Sequence, residues 1–205
     1  MEVGCGVGNT VFPLKEINPN LIIFCFDFAL SAIQLLKQSD KFEQLEFEFA
    51  SAGPEGRFLV PLSAGRVHAF VCDAVTQEIK DVPDSCVDFV SLIFVLSAVH
   101  PDKMGIALGK IAQKMRRGGL VFFRDYASGD MAQARFSHYS KLDENLFVRQ
   151  DGTRSYFFSK EFVSALFEKS GFEILENHYL EKTVVNVKEE KEMQRIFLQG
   201  KFRLK

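Results

Sequence analysis

Apolar and polar positions along the 205 residues alternate between two rhythms. Leu21–Phe26 and Val67–Cys72 are short continuous apolar runs, the signature of strands covered on both faces of a parallel sheet. Val87–Leu96 and Leu120–Arg124 read as further strands, and residues 1–3 as the remnant of a first one. Helical spacing appears over about Thr10–Ile17, Leu30–Gln38, Lys103–Met115 and Lys160–Lys169, with Ala32, Ile33, Leu35 and Leu36 assigned to the apolar side of the second helix. Phe172–Leu180 and Gln194–Phe202 complete the pattern as a late antiparallel pair. The alternation predicts a single α/β domain over residues 1–205. Its expected form is a doubly wound, mostly parallel sheet with right-handed crossovers and a late antiparallel strand.

Residues 44–65 break this rhythm. Ser51-Ala-Gly-Pro-Glu-Gly56 is turn-like, and Phe58-Leu-Val-Pro-Leu-Ser-Ala-Gly65 has no partner in the alternation. A loop of that length inside a compact α/β unit is functional or disordered. The second octapeptide is also what a pyrimidine-rich tract ending in an AG splice acceptor would encode. The expectation is therefore a disordered loop or a retained-intron-like insertion.

Composition narrows the classes. Hydrophobic residues make up 47% of the chain, enough for a sizeable core, with 22 Phe and no Trp. A net charge of −2 does not announce a nucleic-acid binder. Locally, seven basic residues (Lys103, Lys110, Lys114, Arg116, Arg117, Arg124, Arg135) stand against Asp125 and Asp130, and of these Lys103, Lys110, Lys114, Arg116 and Arg117 either face phosphates or form a solvated helix face. Cys5, Cys25, Cys72 and Cys86 have no metal-ligand spacing and read as reduced, buried thiols of an intracellular protein; no metal site is expected. No apolar run has membrane-spanning length, and the first residues do not resemble a signal or transit peptide. The expected compartment is the cytoplasm or the nucleus, with an organelle left open because the chain looks truncated at its start.

The candidate chemistry begins at Glu2-Val-Gly-Cys-Gly-Val-Gly-Asn-Thr10, a turn with glycines at alternate positions between a strand and a helix. Such a turn lets backbone lie against a nucleotide-like ligand without Cβ clashes. Asn9 occupies the place where a dinucleotide fingerprint needs its last glycine. Asp27 ends one apolar run, where an acid accepts from ribose hydroxyls, and Asp73 ends another, where it can accept from an adenine amino group. Either could instead be a turn former or helix cap.

The form E-x-G-x-G-x-G, led by Glu2 with Gly4 and Gly6, resembles motif I of class I S-adenosylmethionine methyltransferases. Leu92-Ile-Phe-Val-Leu-Ser-Ala-Val-His-Pro-Asp-Lys-Met104, Phe123-Arg-Asp-Tyr126 and Val148–Phe158 extend the likeness. Together with the glycine turn they resemble the methyltransferase-like tRNA 3-methylcytidine methyltransferases over almost the whole chain except about residues 44–65. The resemblance implies a class I methyltransferase Rossmann-like fold, S-adenosyl-L-methionine as cofactor, and methylation of cytidine N3 in a tRNA anticodon loop. It places Gly4, Asp27, Asp73, Ala74 and Ile93 on the cofactor, where Glu2 and Gly6 of the glycine turn are also expected, and Arg124, Asp125, Tyr126, Arg149, Arg154 and Tyr156 on the substrate side. It leaves open an aminoacyl-tRNA synthetase or other protein partner. Against that family the chain looks N-terminally truncated, lacking an aromatic-rich leading segment that includes a Trp.

Cytosine N3 carries an in-plane lone pair that is largely unprotonated near neutrality, so catalysis is expected to be mostly positioning. The base must be unpaired and held by stacking and edge hydrogen bonds, a task that suits Tyr126, Arg149, Arg154 and Tyr156. Methylation makes the base cationic. Asp125 is the expected electrostatic stabiliser, with Arg124 and Tyr126 beside it; the alternative for Asp125 is a loop-ordering pair with Arg124 or Arg154. His100, just before Pro101, reads as a helix cap rather than a base. Two other functions remain open: a methyltransferase of a small molecule, or a catalytically impaired product that acts only through binding.

Overall fold

The computed structural model describes residues 1–51, 57–186 and 191–205. Seven strands form the main sheet: β1 (Glu2–Val3), β2 (Ile23–Asp27), β5 (Val67–Val71), β6 (Val87–Ile93), β7 (Met115–Tyr126), β11 (Phe172–Asn186) and β12 (Lys191–Leu204). Their order is β11-β12-β7-β6-β1-β2-β5. β12 runs antiparallel to both its neighbours, while β7, β6, β1, β2 and β5 pair in parallel. The chain winds from β1 outward to β2 and β5, then returns to build β6 and β7 on the other side. The C-terminal end of β1 is therefore the topological switch point, where open α/β sheets hold their ligands.

Four helices flank the sheet: α1 (Val11–Ile17), α2 (Leu30–Gln38), α3 (Pro101–Lys114) and α5 (Lys160–Lys169). β2 is buried from Ile23 to Phe26 because it lies inside the sheet with both faces covered. In α2 only Ile33 and Leu36 are buried, and Leu35 is exposed. At 100° per residue, position 35 points away from the 33/36 stripe, which corrects the wider apolar face read from sequence. α3 buries Met104, Ala107, Leu108 and Ile111, an i, i+3, i+4, i+7 stripe. α5 starts at Ser159, whose Oγ accepts the Phe162 N–H at 3.1 Å, and buries Val163 and Phe167 against the sheet. Phenylalanine supplies much of this core. Phe167 stacks on Phe202 with ring centroids 3.7 Å apart, and Phe123 meets Phe158 and Phe167 edge-on at 5.7 Å.

Two regions depart from the sequence reading. β3 (Phe47–Ser51) and β4 (Arg57–Pro61) form an antiparallel ribbon where a loop was expected, in register from Phe47 opposite Pro61 to Phe49 opposite Leu59. The ribbon is anchored by Phe47, whose ring packs 5.4 Å from Phe24 and 5.3 Å from His68. The tip of the predicted turn, residues 52–56, lies outside the described residues. Between β7 and α5, the short helix α4 (Met131–Ala134) precedes a three-stranded sheet of β8 (Lys141–Asp143), β9 (Leu146–Val148) and β10 (Arg154–Tyr156). Strands of three residues are too short for a period of two to stand out in sequence.

Candidate active site

The glycine turn leaves β1 at the switch point and enters α1. Gly4, Gly6 and Gly8 all have positive φ, at 65°, 53° and 93°. The Gly6 N–H donates to Asp27 Oδ2 at 2.9 Å, and Asp27 Oδ1 accepts the Ala29 N–H at 2.9 Å. Asp27 thus ties the turn to the end of β2, and each oxygen keeps a lone pair for a ligand hydroxyl. At the end of β5, Asp73 accepts from the Val75 N–H at 2.8 Å and the Thr76 hydroxyl at 2.8 Å. Burial works against the Asp73 anion, but these donors and the Lys110 charge hold its carboxyl below the usual range. Lys110 braces the same loop from α3, donating to the carbonyls of Val75 at 3.0 Å and Gln77 at 2.9 Å.

These ends enclose a cavity of about 660 Å³. Gly4, Asp27, Phe28, Asp73, Ala74 and Val95 are among its lining residues, as are His100, Lys103 and Arg154. A Cβ on Gly4 would stand 2.6 Å from Val95 Cγ2, so the turn and the loop after β6 are in direct contact. Apolar walls with two acids on adjacent strand ends fit a ligand with an aromatic base, a ribose diol and an amino group; the residues present suit a nucleoside cofactor. Another cavity, about 550 Å³, opens at the opposite end of the sheet around Ile22, Phe24, Phe89 and Phe122. It lies at the N-terminal edge of the parallel strands, away from the glycine turn.

Past the end of β6, Phe94 adopts φ 57°, unusual for a bulky residue and held by its N–H donating to the Arg124 carbonyl at 2.8 Å. Its half-exposed ring lies 5.0 Å from Tyr126 and 5.5 Å from Phe197. Phe94 lines the large cavity, whereas Tyr126 lines a smaller one of about 330 Å³ with Arg135, Phe136, Arg149, Phe157 and Arg195. The Phe94–Tyr126 pair is the partition between them. Beneath it Asp125 is wholly buried, its Oδ2 accepting the Ser97 N–H at 3.0 Å and its Oδ1 the Tyr126 N–H at 2.9 Å. Burial raises the Asp125 carboxyl to about 6, against the lowering effect of its bonds to Ser97, Tyr126 and Val95.

The sequence-predicted residues divide accordingly. Gly4, Asp27, Asp73, Ala74 and Arg154 line the large cavity, Gly6 is bonded to Asp27, and Arg149 and Tyr126 line the small one. Ile93 ends β6 just short of the lining residues Phe94 and Val95. Glu2 is buried and lines the opposite cavity, because at its place in β1 it is level with Ser91 and Cys25. Arg124 turns to Gln199 across β12, donating to its Oε1. Tyr156 is core, 4.9 Å from Phe158 and 5.2 Å from Phe162. Asp125 pairs with neither Arg124 nor Arg154. His100 caps α3, accepting the Asp102 N–H at 3.4 Å. Of the basic stretch, Lys114 pairs with Asp84 at 2.6 Å and Arg116 with Asp88 at 2.9 Å. Phe94, Arg135 and Arg195 escaped the sequence reading as site residues, although Phe94 stands inside a quoted motif. Among the described residues, no cluster of three or more His, Cys, Asp or Glu could hold a metal, and no helix is long and apolar enough to cross a membrane.

A family model described as a methyltransferase domain matches residues 1–177. The chain belongs to that family. This methyltransferase domain is 43% identical to the human tRNA N(3)-cytidine methyltransferase METTL6 over 98% of its own length and 64% of the relative's. It is 37% identical to the zebrafish (Danio rerio) tRNA N(3)-cytidine methyltransferase METTL2, covering 99% of itself and 53% of that protein. The chain thus spans just under two thirds of the first relative's length. Its fold is that of class I S-adenosylmethionine-dependent methyltransferases. One from Anabaena variabilis superposes with a TM-score of 0.68 at 13% identity, covering 100% of this chain and 76% of the other.

Proposed function

We propose that this methyltransferase domain uses S-adenosylmethionine to methylate N3 of a cytidine in the anticodon loop of tRNA. The observation that carries the reading is the aromatic partition: Phe94 lines the large cavity with Asp27 and Asp73, while Tyr126, 5.0 Å away, lines a cavity rich in arginine. The similarity to proteins named as tRNA cytidine N3-methyltransferases supports the substrate.

S-adenosylmethionine, when bound, supplies a methyl group activated by its sulfonium. Asp27 would accept from the ribose hydroxyls and Asp73 from the adenine amino group, with Gly4 allowing close backbone approach. Cytosine N3 needs no strong base, so the protein's task is alignment. Phe94 and Tyr126 offer ring faces on which an unpaired base can stack at the mouth of the cofactor cavity. Asp125 is too deep to touch the base. It holds the Ser97 and Tyr126 amides in place, and its negative charge beneath the rings favours a base that becomes cationic.

Calorimetric titration of S-adenosylhomocysteine into the folded chain tests the first half, with binding of micromolar order expected, about −8 kcal/mol. Incubation with S-adenosylmethionine and tRNA, with and without an aminoacyl-tRNA synthetase, followed by nucleoside mass spectrometry, tests the second. A chain that binds the cofactor product but never forms 3-methylcytidine refutes the substrate assignment. A folded chain that does not bind it refutes both halves.

A further inference from the structure

We propose that the smaller cavity is an anion site that takes a backbone phosphodiester of the substrate strand, with Arg135 and Arg149 as its ligands. The assignment deepens the function proposed above and rests on it for the source of the phosphate. The anion chemistry stands on the cavity itself. Three of its seven lining residues are arginines and none is acidic. Arg195 is already neutralised: its Nε and Nη2 reach both oxygens of the buried Asp130 carboxylate, at 2.9 to 3.1 Å. The other two have only neutral acceptors among the described residues. Arg149 donates to Ser155 Oγ at 3.3 Å, and Arg135 to Met193 Sδ at 3.4 Å. Neither has a carboxylate oxygen within 4 Å among the described residues.

Arg149 also lies over the Tyr126 ring, its guanidinium 5.3 Å from the ring centre. The floor is apolar, formed by Ala132, Phe136 and Phe157. Guanidinium groups with no carboxylate bonded to them, over an apolar floor, attract a multivalent oxyanion and bind it in a forked geometry. At about 330 Å³ the cavity is at the small end for ligands, suited to a phosphate and part of its sugar. Tyr126 is shared with the aromatic partition, so the anion would sit one ring away from the base stacked there. This is the relation between a splayed nucleotide's base and its own backbone.

The test is fluorescence anisotropy of a labelled single-stranded RNA heptamer with a central cytidine, measured over a salt series. Arg135→Gln and Arg149→Gln should each reduce the slope of log affinity against log salt by about 0.7. Arg116→Gln, which removes the partner of Asp88 at the other end of the sheet, should leave it unchanged. Calorimetry with S-adenosylhomocysteine controls for folding and should be unaltered in all three. In competition, cytidine monophosphate should outperform cytidine by about tenfold, and the double variant should lose that preference. Equal competition by inorganic phosphate and the nucleotide would overturn the RNA source in favour of free phosphate. Unchanged slopes and an unchanged preference would overturn the anion site. Methylation of tRNA with unchanged slopes would defeat this inference and leave the proposed function standing, whereas reduced slopes without methylation would do the reverse.

Discussion

The Asp125 carboxylate lies wholly buried beneath the Phe94 loop and holds the Ser97 amide at 3.0 Å. Its carboxyl titrates at about 6 in the fold against an ordinary 3.8, chiefly because burial disfavours the anion. A carboxyl raised in this way adds its full stability below about pH 4 and loses it as pH climbs through about 6. The difference of roughly two units corresponds to about 3 kcal/mol. Asp125→Asn, which cannot ionise, should therefore flatten the fall in stability between about pH 4 and 6, as read by urea unfolding across that range. Parallel curves for the two proteins would show that the carboxyl titrates at its ordinary value.

The same residue separates positioning from cofactor binding. Asp125→Ala should lower turnover on tRNA by about a hundredfold, the scale of a lost preorganised electrostatic group. Its affinity for S-adenosylhomocysteine should change only slightly, since Asp125 lines neither cavity. Equal losses in both quantities would mean that the Phe94 loop has collapsed into the cofactor cavity.

Gly4 joins backbone conformation to cavity shape. Its φ of 65° suits glycine, and a Cβ there would stand 2.6 Å from Val95 Cγ2. Gly4→Ala would add about 1 to 2 kcal/mol of left-handed strain and push Val95 into the cavity. Calorimetry should show S-adenosylhomocysteine affinity reduced at least about tenfold. Val95→Ala in the same chain should restore part of the loss by removing the clash. No recovery in the double variant would assign the whole effect to backbone strain.

What was legible in the sequence follows from the range of each interaction. Asp27 and Asp73 could be placed because each ends a buried strand, and strand ends in a parallel sheet converge on the switch point. α3 and α5 were legible from their i, i+3, i+4 stripes. Phe47 gave no such signal: its strand has meaning only through contact with Phe24 and His68, which lie in other elements. Tyr156 and Arg154 are two residues apart in a three-residue strand, yet one enters the core and the other the cofactor cavity. Arg195 is the extreme case, since its role depends on Asp130, 65 positions away.

That pair makes the final prediction. Asp130 is fully buried, and its carboxylate accepts from the Arg195 guanidinium and from the Ile196 N–H at 2.9 Å. It therefore pins β12 beside the short α4, and it holds Arg195 with its guanidinium 5.7 Å from the Tyr126 ring centre. Breaking such a pair leaves one charge buried alone, so Asp130→Ala should cost about 3 to 5 kcal/mol in urea unfolding. Arg195→Met should cost a comparable amount, because the buried carboxylate is then left without its counter-charge. Replacing both, as Asp130→Ala with Arg195→Met, should cost clearly less than the sum of the two single changes, since neither charge remains to be desolvated. Additive losses would show that the two residues contribute independently and that the ion pair is not what holds β12 to α4.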